Sequence, residues 1–245
     1  MEKDKIIYFC LDKGKSAKKF PWSKIQFHYF NISAKEYDLG CCSIPEYYWN
    51  KKGWEEDKLA KVMEEKLKEE GAEEYYLHPS INKLLKKEEN LPPKQLLQVL
   101  LIQNICWENL CIIIESKEQM QICQQMLEEY FPRVNRLIIV TDCQEGEEVY
   151  EELTDFVYEE YGIPSAVRAN LDETMENRTG TVILDMKRQY RLPWKMIPSG
   201  AVYVDCYSEN EKRYVLETKR KDVHYLSVVK NLDTIVKNGY NTLVN

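Results

Sequence analysis

Apolar positions change period along the chain, and the changes mark out its elements. Lys5–Leu11 and 25–32 are rich in Ile, Tyr and Phe and read as strands. Trp54–Glu70 carries Leu59, Val62, Met63 and Leu67 at helical spacing, with Gly71 as the stop. A short strand is expected at Glu74–Leu77, leaving through His78-Pro79. Asn90-Leu91-Pro92-Pro93 then opens a helix through Leu96–Ile105 that is apolar nearly all round, the pattern of a buried helix joining two halves.

From Leu110 the alternation becomes regular. Leu110–Ile114 is a continuous apolar run, as in a strand covered on both faces. Ser116 and Gln119 have capping-box spacing and open a helix with Met120, Cys123, Leu127 and Tyr130 on one face. Leu137–Thr141 is the next strand. In Glu147–Tyr161, Val149, Leu153, Phe156, Val157 and Tyr161 line one helix face, acids line the other, and Gly162-Ile163-Pro164 ends it. A weak strand at Ser165–Ala169 precedes a short helix from Asp172. Strands at Thr181–Asp185 and Ala201–Asp205 follow, and Thr218–Lys237 reads as a closing helix with His224 near its start. Strands alternating with helices predict right-handed crossovers and a parallel sheet. The expected fold is therefore α/β: a mostly parallel, Rossmann-like three-layer sheet in the C-terminal half (106–245) and a smaller α/β unit in the N-terminal half (1–105).

Composition changes this picture little. Apolar residues make up 44% and charged residues 31%, which excludes a disordered or fibrous chain. The net charge of −7 argues against nucleic acid and anionic lipid as partners. Leu96–Ile105 is interrupted by Gln98, Gln103 and Asn104 and is too short to span a bilayer. The opening Met-Glu-Lys-Asp-Lys has no apolar core of a leader, so a cytoplasmic protein is expected. Homo-oligomerisation is left open. The eight cysteines form no Cys-x-x-Cys pair and read as reduced, small apolar residues. Gly40-Cys41-Cys42-Ser43, with Tyr47, Tyr48, Trp49 and Trp54 beyond it, reads as an aromatic-rich loop. A thiol nucleophile there would need His28 or His78 as its base.

Ligands of open parallel sheets bind beyond the carboxyl ends of the strands. The residues just past the predicted strands are Glu115 and Ser116, Asp142 and Cys143, Asp185, and Asp205, Cys206 and Tyr207. Asp and Ser at such places serve as caps and turn-formers. Four carboxylates at one edge also have the chemistry to hold Mg²⁺, making Glu115, Asp142, Asp185 and Asp205 candidate metal ligands. The loop from Lys187 to Lys195 leaves the same edge with four cations interleaved with Tyr and Trp, suited to gripping an anion and stacking on a ring. Lys187, Arg188, Tyr190, Arg191 and Trp194, with Ser116, Asp142 and Asp205, are the candidate ligand-binding residues.

Two patterns bear on the chemistry. Ile112-Ile113-Ile114-Glu115-Ser116-Lys117, followed by a helix and then Ile138-Ile139-Val140-Thr141-Asp142 with Glu145-Gly146-Glu147, resembles the Toprim domain of topoisomerases and primases. That resemblance implies Glu115 and Asp142 as acids of Mg²⁺-dependent phosphoryl chemistry, with Gln144 standing where the family has a second acid. The stretch Thr181–Asp185, Ile197-Pro198-Ser199-Gly200 and Ala201–Asp205 is similar to late strands of small dehydrogenases. No Gly-x-Gly-x-x-Gly turn accompanies it, so a nicotinamide cofactor is disfavoured. The leading expectation is a protein binding a small anionic or nucleotide-like ligand at the C-terminal edge of the sheet. The alternatives are a Mg²⁺-dependent phosphoryl-transfer or hydrolytic enzyme using the strand-end acids, and a structural or interaction protein without ligand.

Overall fold

The computed structural model describes residues 4–12, 28–33, 37–45, 56–85, 108–128, 131–141, 147–171, 180–188, 194–207 and 210–243. The expected helices at Leu96–Ile105 and from Asp172 lie outside the described residues. The chain divides into two compact units, Met1–Pro93 with Leu232–Asn245, and Lys94–Asn231. The last segment, expected with the C-terminal domain, thus groups with the first unit.

In the first unit, β1 (Asp4–Asp12), β2 (His28–Ser33), β3 (Tyr37–Pro45) and β4 (Glu74–Leu77) form one sheet in the order β2-β3-β1-β4. β1 pairs parallel with β3 and β4, and β2 adds an antiparallel edge. Helix α1 (Glu56–Glu70) lies between β3 and β4 in the chain, and α2 (Pro79–Leu84) follows β4. Leu59 and Met63 of α1 pack with Ile7, Phe9, Cys42, Ile44 and Leu77 in one apolar core. Helix α1 stops at Gly71 as expected. Its φ of +65° suits only a residue without Cβ, and the Ala72 N–H reaches back to the Leu67 carbonyl at 3.0 Å.

One correction falls here. Gly40-Cys41-Cys42-Ser43 is not loop but part of β3, an interior strand of the sheet. A glycine reads as punctuation in sequence, yet a strand flanked on both sides tolerates it because the ladder supplies the order. Adjacent strand residues face opposite ways, so Cys41 and Cys42 are both buried and cannot converge. Burial pushes the Cys41 thiol up to about 12 and the Cys42 thiol up likewise. His78 accepts the Ser80 N–H on Nδ1 at 3.1 Å and serves as the N-cap of α2. These sites therefore offer no activated nucleophile. Iodoacetamide at pH 8 is expected to leave Cys41 and Cys42 unmodified in the folded protein and to alkylate both in denaturant, as read by peptide mass spectrometry.

The second unit holds β5 (Asn109–Ile113), α3 (Lys117–Leu127), β6 (Arg136–Val140), α4 (Glu147–Tyr161), β7 (Ser165–Arg168), β8 (Thr181–Asp185), β9 (Val202–Asp205), α5 (Asn210–Lys219) and β10 (His224–Ser227). Helix α6 (Val228–Leu243) follows β10 directly. The six strands are parallel throughout, in the order β7-β6-β5-β8-β9-β10. The Rossmann-like α/β architecture is thus present. The chain winds outward from β5 to β7, returns to the other side of β5, and winds outward again to β10. The order reverses between β5 and β8, which puts the switch point there. Ile113, Val140, Ile183 and Tyr203 share one buried core with Leu216 of α5.

The single closing helix expected over Thr218–Lys237 is instead α5, a turn, β10 and α6. His224 belongs to β10. Neither Gly nor Pro marks the break. Arg220 makes it, its guanidinium holding the Asp222 carboxylate at 2.8 and 2.9 Å while its carbonyl accepts the Val223 N–H. No helix among the described residues is long and apolar enough to cross a membrane.

Helix α4 carries seven carboxylates and no Lys or Arg, a charge equal to the whole chain's excess of −7. Glu151, Glu152, Asp155, Glu159 and Glu160 are exposed. Asp155 has like charges at i−4, i−3 and i+4, and each such pair costs a few tenths of a kcal/mol. Asp155→Arg is therefore expected to stabilise the protein by about 1 kcal/mol in low-salt urea denaturation, with the gain shrinking in 0.5 M NaCl.

Candidate functional site

The switch point is built from the ends of β5, β8 and β9 and the start of α3. Glu115 and Ser116 follow β5. Ser116 is in extended conformation and caps α3, its Oγ accepting the Gln119 N–H at 3.3 Å. Gln119 reaches back, its Oε1 accepting the Glu115 N–H at 2.8 Å and its Nε2 donating to Glu115 Oε1 at 3.3 Å. The Glu118 carboxylate bonds its own backbone N–H and Ser116, which hold it below the usual carboxylate range. Ser116 thus caps the helix as its spacing predicts, while Gln119 returns to the Glu115 N–H rather than to that of Ser116, and the arrangement has a chemical consequence. In a dinucleotide-binding sheet the helix after the first strand presents bare N–H groups to a pyrophosphate. Here the N–H groups of Glu115, Glu118 and Gln119 are taken by the protein's own side chains, and two carboxylates stand beside them.

Across the switch point, β8 ends in Asp185. Asp185 and Asp205 are register partners at the ends of β8 and β9, and neither has any exposed surface. Burying a carboxylate costs several kcal/mol unless its oxygens are satisfied. Asp185 Oδ1 accepts the Lys187 N–H at 3.0 Å. Its Oδ2 accepts the Tyr203 hydroxyl and pairs with Lys212 Nζ at 2.7 Å. Asp205 repeats the arrangement one strand outward: Oδ2 accepts the Tyr225 hydroxyl at 2.8 Å and Oδ1 the Tyr207 N–H at 3.1 Å. Tyr203 and Tyr225 are themselves register partners with stacked rings, 6.4 Å apart and 16° from parallel. Each tyrosine thus serves the aspartate two residues farther along the neighbouring strand. Burial, then the Asp205 charge, push the Tyr225 hydroxyl well up, so it remains a proton donor at every physiological pH.

Arg188 stands at the same edge. Its backbone N–H faces Glu115 Oε2 at 3.4 Å, and its guanidinium lies 5.2 Å from the centre of the Tyr207 ring. Tyr207 is 5% exposed. Burial raises its hydroxyl pKa, while hydrogen bonds from Arg188 and Gln119 oppose the rise. Glu115, Gln119, Arg188 and Tyr207, from three stretches of the chain, therefore form one polar cluster at the switch point.

The structure thus brings together Glu115, Ser116, Lys187 and Arg188 of the residues expected from sequence, with Asp185 beneath the loop. Trp194 sits in a short turn, where its carbonyl accepts an Arg220 hydrogen bond at 2.6 Å and Lys195 lies over its ring. Asp142, Tyr190 and Arg191 lie outside the described residues. Among the described residues no three or more His, Cys, Asp or Glu side chains converge as a metal site. Sequence reasoning missed Lys212 and the two tyrosines. Lys212 lies four residues before Leu216, both are buried, and that spacing places it on the inward stripe of α5. No protein-family model matches the chain, and no curated protein or solved structure matches it either.

Lys212 is 2% exposed. Removing one member of a buried pair leaves the other uncompensated, so Lys212→Met is expected to cost about 3–5 kcal/mol in urea denaturation. Adding Asp185→Asn to it should return most of that loss.

Proposed function

We propose that the Lys94–Asn231 unit binds a small anionic or nucleotide-like ligand at the carboxyl edge of its sheet, in the crevice between β5 and β8. One observation carries this reading: the reversal of strand order falls between β5 and β8, with Arg188 held at that edge. Open parallel sheets take ligands there because the loops diverge and leave a crevice. Arg188 supplies a fixed positive fork for a carboxylate or phosphate, and Tyr207 supports it from below. Lys187 adds charge beside it, and the remaining cations and aromatics of the 187–195 loop are the further candidates for contact.

The self-capped start of α3 narrows the ligand. With the Glu115, Glu118 and Gln119 N–H groups occupied and the Glu115 and Glu118 carboxylates adjacent, that helix start favours no pyrophosphate. Recognition of charge falls to the loop after β8, which suits a ligand with one compact anionic group. Citrate, AMP and glucose 6-phosphate represent this class, and a dinucleotide should bind more weakly.

In thermal denaturation at millimolar concentration, at least one of these is expected to raise Tm. A ligand at a hundred times its Kd adds about 2.7 kcal/mol, a rise on the order of 5 °C at this size. Arg188→Ala should weaken binding roughly 10- to 100-fold, the worth of a charge-assisted hydrogen bond. A flat response to all three in the wild-type protein would remove the reading.

A further inference from the structure

A buried ion pair adds little net stability over a well-packed apolar pair. The Lys212–Asp185 pair must therefore be read by what an apolar pair could not do in its place. It holds both backbone groups of Lys187, the residue before Arg188. The Asp185 carboxylate accepts the Lys187 N–H, and the Lys212 ammonium donates to the Lys187 carbonyl. Tyr203 fixes the carboxylate from the neighbouring strand. The carboxylate end of β8 is held in turn, with the Asp185 carbonyl accepting the Cys206 N–H and the Met186 N–H reaching the Ile113 carbonyl. The next N–H, that of Arg188, turns to Glu115. The exit from β8 is thus bonded at three successive N–H groups, and the pair holds Lys187 from both sides.

We propose that Lys212 and Asp185 are positioning residues for the Arg188 guanidinium. They hold the start of the 187–195 loop so that Arg188 stands over Tyr207, in place to meet an anion before the anion arrives. This rests on the binding reading above. It assigns a role to a helix residue, Lys212, that is 2% exposed and itself touches no ligand. Preorganisation of this kind raises affinity because the loop need not be ordered on binding.

The test is a cycle of variants in the full chain, with calorimetric titration of citrate, AMP and glucose 6-phosphate. The neutral pair Lys212→Met/Asp185→Asn removes both charges and is expected to fold. It serves also if Lys212→Met alone does not. Affinity for whichever probe binds the wild type should fall about tenfold in the neutral pair, though its urea stability is near that of the wild type. Adding the pair to Arg188→Ala should cost no further affinity, because a residue that acts through Arg188 has nothing left to position. Wild-type affinity in the neutral pair, or a triple variant weakened by the product of the two separate effects, would overturn the proposal while leaving the binding reading standing. If the wild type binds none of citrate, AMP and glucose 6-phosphate, the binding reading falls and this role falls with it.

Discussion

A carboxylate with no exposed surface stands at the end of β8, and much of the second unit's edge is arranged around it. Such a charge is tolerated only when every oxygen is bonded. Asp185 meets that demand with a lysine from α5, a tyrosine from β9 and the backbone of its own exit. Three successive elements, β8, β9 and α5, are thereby required to meet at one point. The Tyr225–Asp205 bond one strand outward obeys the same rule, and the stacked tyrosines join the two. Apolar packing sets how tightly this sheet closes, but these polar bonds set where its strand ends lie.

The doubly wound order puts a switch point between β5 and β8, and a fold of this kind serves many unrelated functions. What individualises this one is how its two sides are furnished. On the β5 side, the start of α3 is closed by its own Ser116, Glu118 and Gln119. On the β8 side, Arg188 rests on Tyr207 beside Glu115. This edge therefore carries its positive charge on a side chain rather than on a helix terminus. That difference separates it physically from pyrophosphate-binding sheets, where glycines let the backbone approach the ligand. Charge elsewhere is distributed just as unevenly. Helix α4 holds a run of acids on its exposed face with no Lys or Arg of its own among them, at a cost to its own stability.

Periodicity made much of this fold legible. The strands at Thr181–Asp185 and Glu74–Leu77 and the helix at Glu147–Tyr161 lie where the apolar pattern puts them. The exits of β5, β6, β8 and β9 lie on one rim, as their expected parallel run implies. The pattern failed where local chemistry and tertiary pairing disagreed. Gly40 and two cysteines look like a loop until neighbours on both sides make them a strand. His224–Ser227 is too short and too close to a helix to show its period.

By itself, then, the sequence determined the class of fold, the alternation of its elements and the residues at the strand exits. Those follow from side-chain periods of two and 3.6 residues, which are local properties of the chain. Tertiary structure decided the strand order, and so the place where it reverses. It also decided that Lys212, on a helix the apolar pattern did not reveal, lies against Asp185. Both are questions of which distant segments share a neighbour. No local period encodes that, because it is settled only when buried surfaces and buried charges find partners together.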